Sequence, residues 1–443
     1  MISAMKRLAL SIFLFFMALT TLLGFSVGER RVQEQPFDSE KELGKVDFSK
    51  ALAPNQLEWV NRATLSLLTV GSGDPLYAWF GHSALIIGQP SGGEVMYDYG
   101  VFDTDQKNFY LNFAQGRMYY SVWESAAPWR IEEALQQKRD VKLIELDLSP
   151  EAKLATIRFL QNNAKAENST YLYHFYNDNC ATRIRDILNA ATGGDFRRWA
   201  EAQPTSTSFR QFVQRYMSHS PVVFWALDFL QGRNIDRPLN RYEEMFLPGS
   251  LHQAVLDYSP SLVAQQNILL DTSGSGVRFT AHAKSVNHDW AYALSGIVLA
   301  LTLFMLGKRY RRTTSLLYAL LLLALAILGS VLLFMMSFSD MDMTWFNENI
   351  VVVNPLLFIG MVSAFRSAFA NRKRRTMDAK PMQGGVLARK TFQAMFALCI
   401  ALVVAKGLLP SILIQDNLKV ILLLMPIALS GAAFHGWGDR KKL

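Results

Sequence analysis

YLYHFYNDNCATR, residues 171–183, decides how the rest of the chain is read. Tyr171–Tyr176 is rich in aromatic residues and reads as a strand, with Asn177, Asp178 and Asn179 as its polar exit. A helix then opens at Cys180, continues through Leu188 and stops at Thr192-Gly193-Gly194. A cysteine at the start of a helix has its sulfur among unpaired amides, at the positive end of the helix dipole, where a thiolate is favoured. Asp178 and Asn179 are the side chains placed to cap that helix. The only other cysteine, Cys399, lies in a long apolar run and is no plausible partner. A single cysteine in an exported segment is either a buried thiol of the core or a reactive one.

The reactive reading needs a base, and the chain upstream offers one. Leu65–Val70 reads as a strand ended by the loop Gly71-Ser-Gly-Asp-Pro75. His82–Gly88 is a second strand, and Glu94–Tyr99 is its hairpin partner across the turn Gln89–Gly93. His82 opens its strand, so its side chain stands at a sheet edge. A Cys-His pair commonly has a third group that fixes the imidazole tautomer. On the partner strand Asp98 is flanked by Tyr97 and Tyr99, and alternation puts Tyr97 and Asp98 on opposite faces. A carboxylate accepts from an imidazole N–H, which favours Asp98; a solvated strand carboxylate is the plainer alternative. Further elements are helices over 54–64 and 131–138, the strand Val141–Leu148, and a helix from Ser149-Pro150 to Asn163. The stretch 209–256 reads as mainly helical. Together they make an α+β domain. No CxxC, HExxH or glycine-rich phosphate loop is present, so the sequence gives no support for a metal or nucleotide cofactor.

The C-terminal third is of another kind. Apolar runs long enough for a hydrocarbon core of about 30 Å begin near Trp290, Thr314, Ile350, Thr391 and Leu418, which predicts five helices (290–307, 314–336, 350–370, 391–411 and 418–436). The formal charge of +8 divides into −3 before Trp290 and +11 from it onward, so the basic excess belongs to the membrane half and nucleic-acid binding is not supported. Lys308–Arg312, Arg372–Lys390 and Arg440–Lys442 carry most of it, while the loops 337–349 and 411–417 hold no Lys or Arg. That alternation is the positive-inside pattern; it puts everything between the N-terminal apolar run and Trp290 outside, and the C-terminus in the cytoplasm. Lys6, Arg7 and the apolar run Leu8–Phe25 read as a signal peptide or an uncleaved anchor. The expected domains are therefore 1–28 (signal or anchor), 29–57 (a tether), 58–285 (exported) and 286–443 (transmembrane). The loop with Asp340, Asp342, Trp345 and Asn347 reads either as a lipid-headgroup site or as a polar loop with an interfacial Trp. Lys406, far along its helix, is expected to snorkel to the outer surface.

A strand histidine, a polar residue on the next strand and Asn-Cys at a helix start resemble the circularly permuted papain-like group, which includes lecithin:retinol acyltransferase and NlpC-type enzymes. The fuller text is narrower. FGHSAL (80–85), YDYGVFD (97–103), NFY (108–110), NCATR (179–183), RDIL (185–188) and MFLP (245–248) resemble the periplasmic domain of the Lnb-type lipoprotein N-acyltransferase family. Asn347, Asn349 and NPL (354–356) resemble its transmembrane domain, so the resemblance spans roughly 58–436. It implies a papain-like domain outside the bacterial inner membrane, with Cys180 as nucleophile and His82 as base. Asp98 is the candidate third residue, and Asp178, Asn179, Tyr97, Tyr99, Arg183 and Asn347 are candidates for support or substrate binding. The implied reaction takes an acyl chain from a membrane phospholipid and passes it to the N-terminal amine of a lipoprotein, with no cofactor. A cysteine hydrolase of lipid esters or wall amides, and a non-catalytic receptor or scaffold, remain as other readings of the same residues.

Overall fold

The computed structural model describes residues 39–103, 108–272, 289–369 and 385–436, and these fall into two compact units. The expected signal or anchor (1–28) and the clusters Arg372–Lys380 and Arg440–Lys442 lie outside the described residues.

The first unit comprises 32–224 and 237–284. Its strands are β1 (Thr64–Val70), β2 (His82–Gly88), β3 (Glu94–Val101), β4 (Tyr119–Ala126), β5 (Val141–Leu146), β6 (Thr170–Leu172), β7 (Pro204–Ser208), β8 (Pro238–Asn240) and β9 (Val263–Leu270). Seven form an antiparallel sheet in the order β6-β4-β3-β2-β1-β5-β9, and β7 pairs with β8 apart from it. The central strands are apolar on both sides because both faces are covered. On one face Leu65, Leu67, Leu85, Tyr97 and Ile144 meet the helices Pro150–Asn163, Cys180–Ala191 and Pro248–Asp257. On the other Leu68, Ala84, Ile86, Met96 and Val141 meet the helix Ala127–Gln136. The aromatic strand expected over 171–176 is only Thr170–Leu172. Beyond it the chain turns back on itself, with His174 bridged to Asp178 and the Tyr176 and Asn177 amides donating to His174 Nδ1. The tether expected over 29–57 is, from residue 39, part of this unit: Leu43 is buried in the core, with Val46 and Phe48 packed on it.

The second unit comprises Trp225–Asp236 and 285–436 of the described chain, so 58–285 is not one unbroken domain. Among the described residues four helices are long and apolar enough to cross a membrane: Asp289–Arg309, Arg311–Phe338, Val386–Leu408 and Leu418–Gly436. The fifth, expected over 350–370, begins at Leu357 and is described as far as Phe369. Pro355 explains the late start, since it lacks an N–H and drives Asn354 out of helical geometry. Ile350–Val353, the end of a 3₁₀ turn over Glu348–Val351 and the two residues after it, are nevertheless buried, as backbone outside an α-helix beside a membrane must be. Gly329 admits them: a Cβ there would stand 2.5 Å from Asn354 Cα. Trp345 is buried with its Nε1 donating to Ser339 O, so the loop 337–349 is no exposed loop with an interfacial Trp. Lys406 does not snorkel. Its Nζ lies 2.5 Å from Glu348 Oε2 and donates to the carbonyls of Leu413 and Gln415.

Candidate active site

His82 is the first residue of β2, and its strand pairs with β3 so that Ala84 faces Asp98. Continuing that register sets His82 opposite Gly100, so Asp98 is its diagonal neighbour on the same face. His82 Nε2 and Asp98 Oδ1 form a short hydrogen bond, which leaves Nδ1 as the ring nitrogen for Cys180. The second Asp98 oxygen accepts from Arg130 Nη2 (2.5 Å) and Nε (3.2 Å), and Arg130 Nη1 also reaches Glu133. Asp98 is buried. Burial disfavours its charge, but His82 and then Arg130 outweigh that and hold its pKa at about 2. Burial likewise disfavours an imidazolium at His82, and the Asp98 carboxylate and Cys180 reverse it, raising the pKa to about 10.

Cys180 is half-buried and opens the helix Cys180–Ala191, within hydrogen-bonding reach of His82. Asn179, not Asp178, caps that helix: its Oδ1 accepts from the Ala181 and Thr182 amides, and Thr182 Oγ1 accepts from the Asn179 amide. Such a cap contributes about 1 kcal/mol. Asn179 Nδ2 donates to Phe175 O and Phe246 O, which ties the turn before the nucleophile to the segment near Pro248. Asp178 instead forms a two-point ion pair with Arg183, whose guanidinium lies 3.6 Å from the Tyr171 ring centroid. Arg183 is thus spent on holding the turn. Gly100 sits at a bulge between β3 and β4 with φ +91°, a conformation suited to glycine. From the Cβ position of Gly100, Cys180 Cβ is 3.8 Å away and the Tyr171 hydroxyl 4.0 Å. That hydroxyl is buried and has no hydrogen-bond partner among the described residues.

Two family models match this chain: the Lnb N-terminal periplasmic domain over residues 56–215, and the Lnb transmembrane domain over 289–377. The two domains stand in the family's order and cover more than half the sequence. The chain belongs to the Lnb-type family. As an Lnb-type protein it is a membrane protein with a periplasmic domain, and Cys180, His82 and Asp98 all lie in the stretch that matches that domain. No curated protein and no solved structure matches the chain.

The other candidates divide cleanly. Tyr97 and Tyr99 are core residues on the face opposite Asp98; their hydroxyls donate to Glu124 and Asn163. Asn347 belongs to the membrane unit, where its Nδ2 donates to Phe229 O and Gln231 O, and its Oδ1 accepts from the Asn349 amide and Gln415 Nε2. Its amide is fully engaged, so it has nothing left for a headgroup. Arg130 and Tyr171 were not singled out by sequence as site residues. Tyr171 carried a signal only as part of an aromatic strand, and Arg130 carried none. A cleft of about 830 Å³, lined by Leu43, Asp47, Arg185, Asn189 and Tyr242, includes none of Cys180, His82 or Asp98.

Proposed function

We propose that this protein is a thiol acyltransferase of lipoprotein maturation, built on a circularly permuted papain-like periplasmic domain. The observation that supports it best is His82 held between Cys180 and an ionised, buried Asp98. With the proton already held on His82, Cys180 Sγ attacks the ester carbonyl of a membrane phospholipid as the thiolate. A C–S bond forms, and the carbonyl oxygen takes the negative charge. The Cys180 backbone N–H, which the Asn179 side chain does not engage, is the donor that would stabilise it. The ester C–O bond then breaks, and the lysophospholipid oxygen leaves with the proton from His82. In the second half the neutral amine of a diacylated lipoprotein attacks the thioester. His82 takes the amine proton, the C–S bond breaks and Cys180 is restored. Asp98 keeps the imidazolium aligned throughout and is not itself protonated.

Both substrates are lipids, which accounts for a multi-helix membrane unit on the same chain. The domain faces the periplasm, the C-terminus lies in the cytoplasm, and no cofactor is required by the steps above.

The test is to give purified full-length protein phospholipid and a diacylated lipopeptide, and to weigh the products. The peptide should gain one acyl mass, and withholding it should leave an acyl group on Cys180. Cys180→Ala should abolish both, whereas Cys399→Ala should leave both intact. Fatty acid released at the same rate with and without lipopeptide, and no mass gain on the peptide, would replace the transferase by a hydrolase.

A further inference from the structure

An unbroken run of aromatic rings leads away from the nucleophile to the surface of the periplasmic unit. Tyr173 and Cys180 both border Gly100: Tyr173 Cε2 and Cys180 Cβ are each 3.8 Å from its Cβ position. Tyr173 stacks on Tyr120 with centroids 4.3 Å apart, Tyr120 on Phe102 at 5.0 Å, and Phe102 on Phe109 at 6.4 Å. Phe109 meets Phe113, and Tyr77 stands edge-on to Phe102. The run opens as it leaves Cys180. Tyr173 is half-buried, Phe113 is 42% exposed, Leu111 53% and Tyr77 74%.

A connected apolar strip of this kind on a folded domain marks a binding surface. Its chemistry and its origin narrow the occupant. The strip begins near the residue that must reach a carbonyl, and the short helices that carry Tyr77 and Phe113 also expose Leu76 and Leu111, each by more than half. Aliphatic side chains gain from covering methylenes and give nothing to a sugar face. The same chain carries four helices apolar and long enough to cross a membrane, so the unit is covalently held near a bilayer. We propose that the strip Tyr173–Tyr120–Phe102–Phe113 is the track for the acyl chain of the donor phospholipid, with the carbonyl at Cys180 and the methylenes laid along the rings. This rests on the acyl-transfer reading and adds what selects the donor.

The test uses full-length protein in nanodiscs of ether-linked lipid, which offers no transferable acyl group. Cys180 acylation is timed with p-nitrophenyl esters from acetyl to octanoyl. Each methylene buried on the track should speed acylation about four-fold. Phe102→Gln and Phe113→Gln should flatten that rise, each variant's rates being read relative to its own acetyl rate. A rise equally steep in both variants overturns the track and leaves acyl transfer standing. If no ester acylates Cys180, the acyl-transfer reading itself fails. The track is then tested alone, with a benzophenone amino acid in place of Phe113 in the Cys180→Ala protein in phospholipid membranes. A phospholipid adduct by mass spectrometry supports the track; a glycan adduct, or none, overturns it.

Discussion

Arg130 Nη2 lies 2.5 Å from Asp98 Oδ2, while the other oxygen of the same carboxylate accepts from His82 Nε2. The carboxylate is divided between a fixed cation and the titrating imidazole. Arg130 comes from the helix that covers the Asp98 face of the sheet, so its reach is set by packing and not by a loop. Removing it takes from Asp98 one of the two cations that hold it ionised against burial.

Arg130→Met should therefore slow Cys180 acylation by roughly ten- to a hundred-fold, the rate equivalent of a charged hydrogen bond worth about 1.5–3 kcal/mol. Arg130→Lys should fall between, because it keeps the charge and loses the fork. The pH profile separates positioning from mere structure. With Arg130 gone Asp98 titrates higher, so the acid limb of the rate should move to higher pH. A uniform loss at every pH would assign Arg130 a structural part only.

The raised His82 pKa makes stability depend on pH in a stated direction. A group with a higher pKa folded than unfolded contributes stability that is fully present below the unfolded value, about 6.5. That contribution is lost as pH rises through the folded value of about 10. The melting temperature of the wild type should thus fall between pH 7 and 10 more steeply than that of His82→Gln. Asp98 acts at the other end: its contribution is present above about 3.9 and lost as pH falls through about 2. Parallel melting curves for wild type and His82→Gln across the alkaline range would show that the imidazole is not held charged.

What was legible in the sequence was whatever local rules specify. Cys180 at a helix start, the Asn179 cap, His82 opening a strand and the Tyr97/Asp98 alternation all follow from short-range geometry, and the structure brings Cys180, His82 and Asp98 together. Arg130 was not legible because its partner is 32 residues away and is chosen by how a helix lands on a sheet. Asp178 was read as a cap because Asp and Asn share that propensity; a buried arginine five residues on claimed it instead. The strands β4 and β9 were missed, their apolar alternation being weak at the sheet's outer positions. In the membrane half hydropathy located five apolar runs but not where helix begins within each, and Asn354-Pro355 moved one start by seven residues.

Orientation is checked with reporter fusions. Fusions after Arg312 and after Arg375 should report cytoplasm, and fusions at Asn168 and Asp342 should report periplasm. The helix that begins at Leu357 makes the third crossing the sensitive one, since it starts late, after a buried 3₁₀ turn over Glu348–Val351 and buried Val352–Asn354. A periplasmic signal after Arg375 would mean that this helix re-enters without crossing, and the C-terminus would then lie outside.

The Glu348–Lys406 pair offers the sharpest test of the membrane unit. Glu348 is buried at 2% exposure, at the start of the 3₁₀ turn Glu348–Val351, and its carboxylate meets Lys406 from a helix 58 residues later. Gln415 completes the enclosure, its side chain accepting from the Glu348 amide and its own amide donating to Glu348 Oε1. Burial works against the Glu348 charge, and Lys406 is the group that opposes it most. Lys406→Met should therefore cost about 3–5 kcal/mol, because it strands a buried carboxylate. Glu348→Gln with Lys406→Met should recover much of that loss, as the double change removes both charges and keeps most of the volume. Thermal unfolding of the two single variants and the double one gives the coupling directly. Additive losses would mean that the ammonium and carboxylate are each solvated independently, and that the segment is fixed by the Asn347 and Asn349 amides on Phe229 O instead.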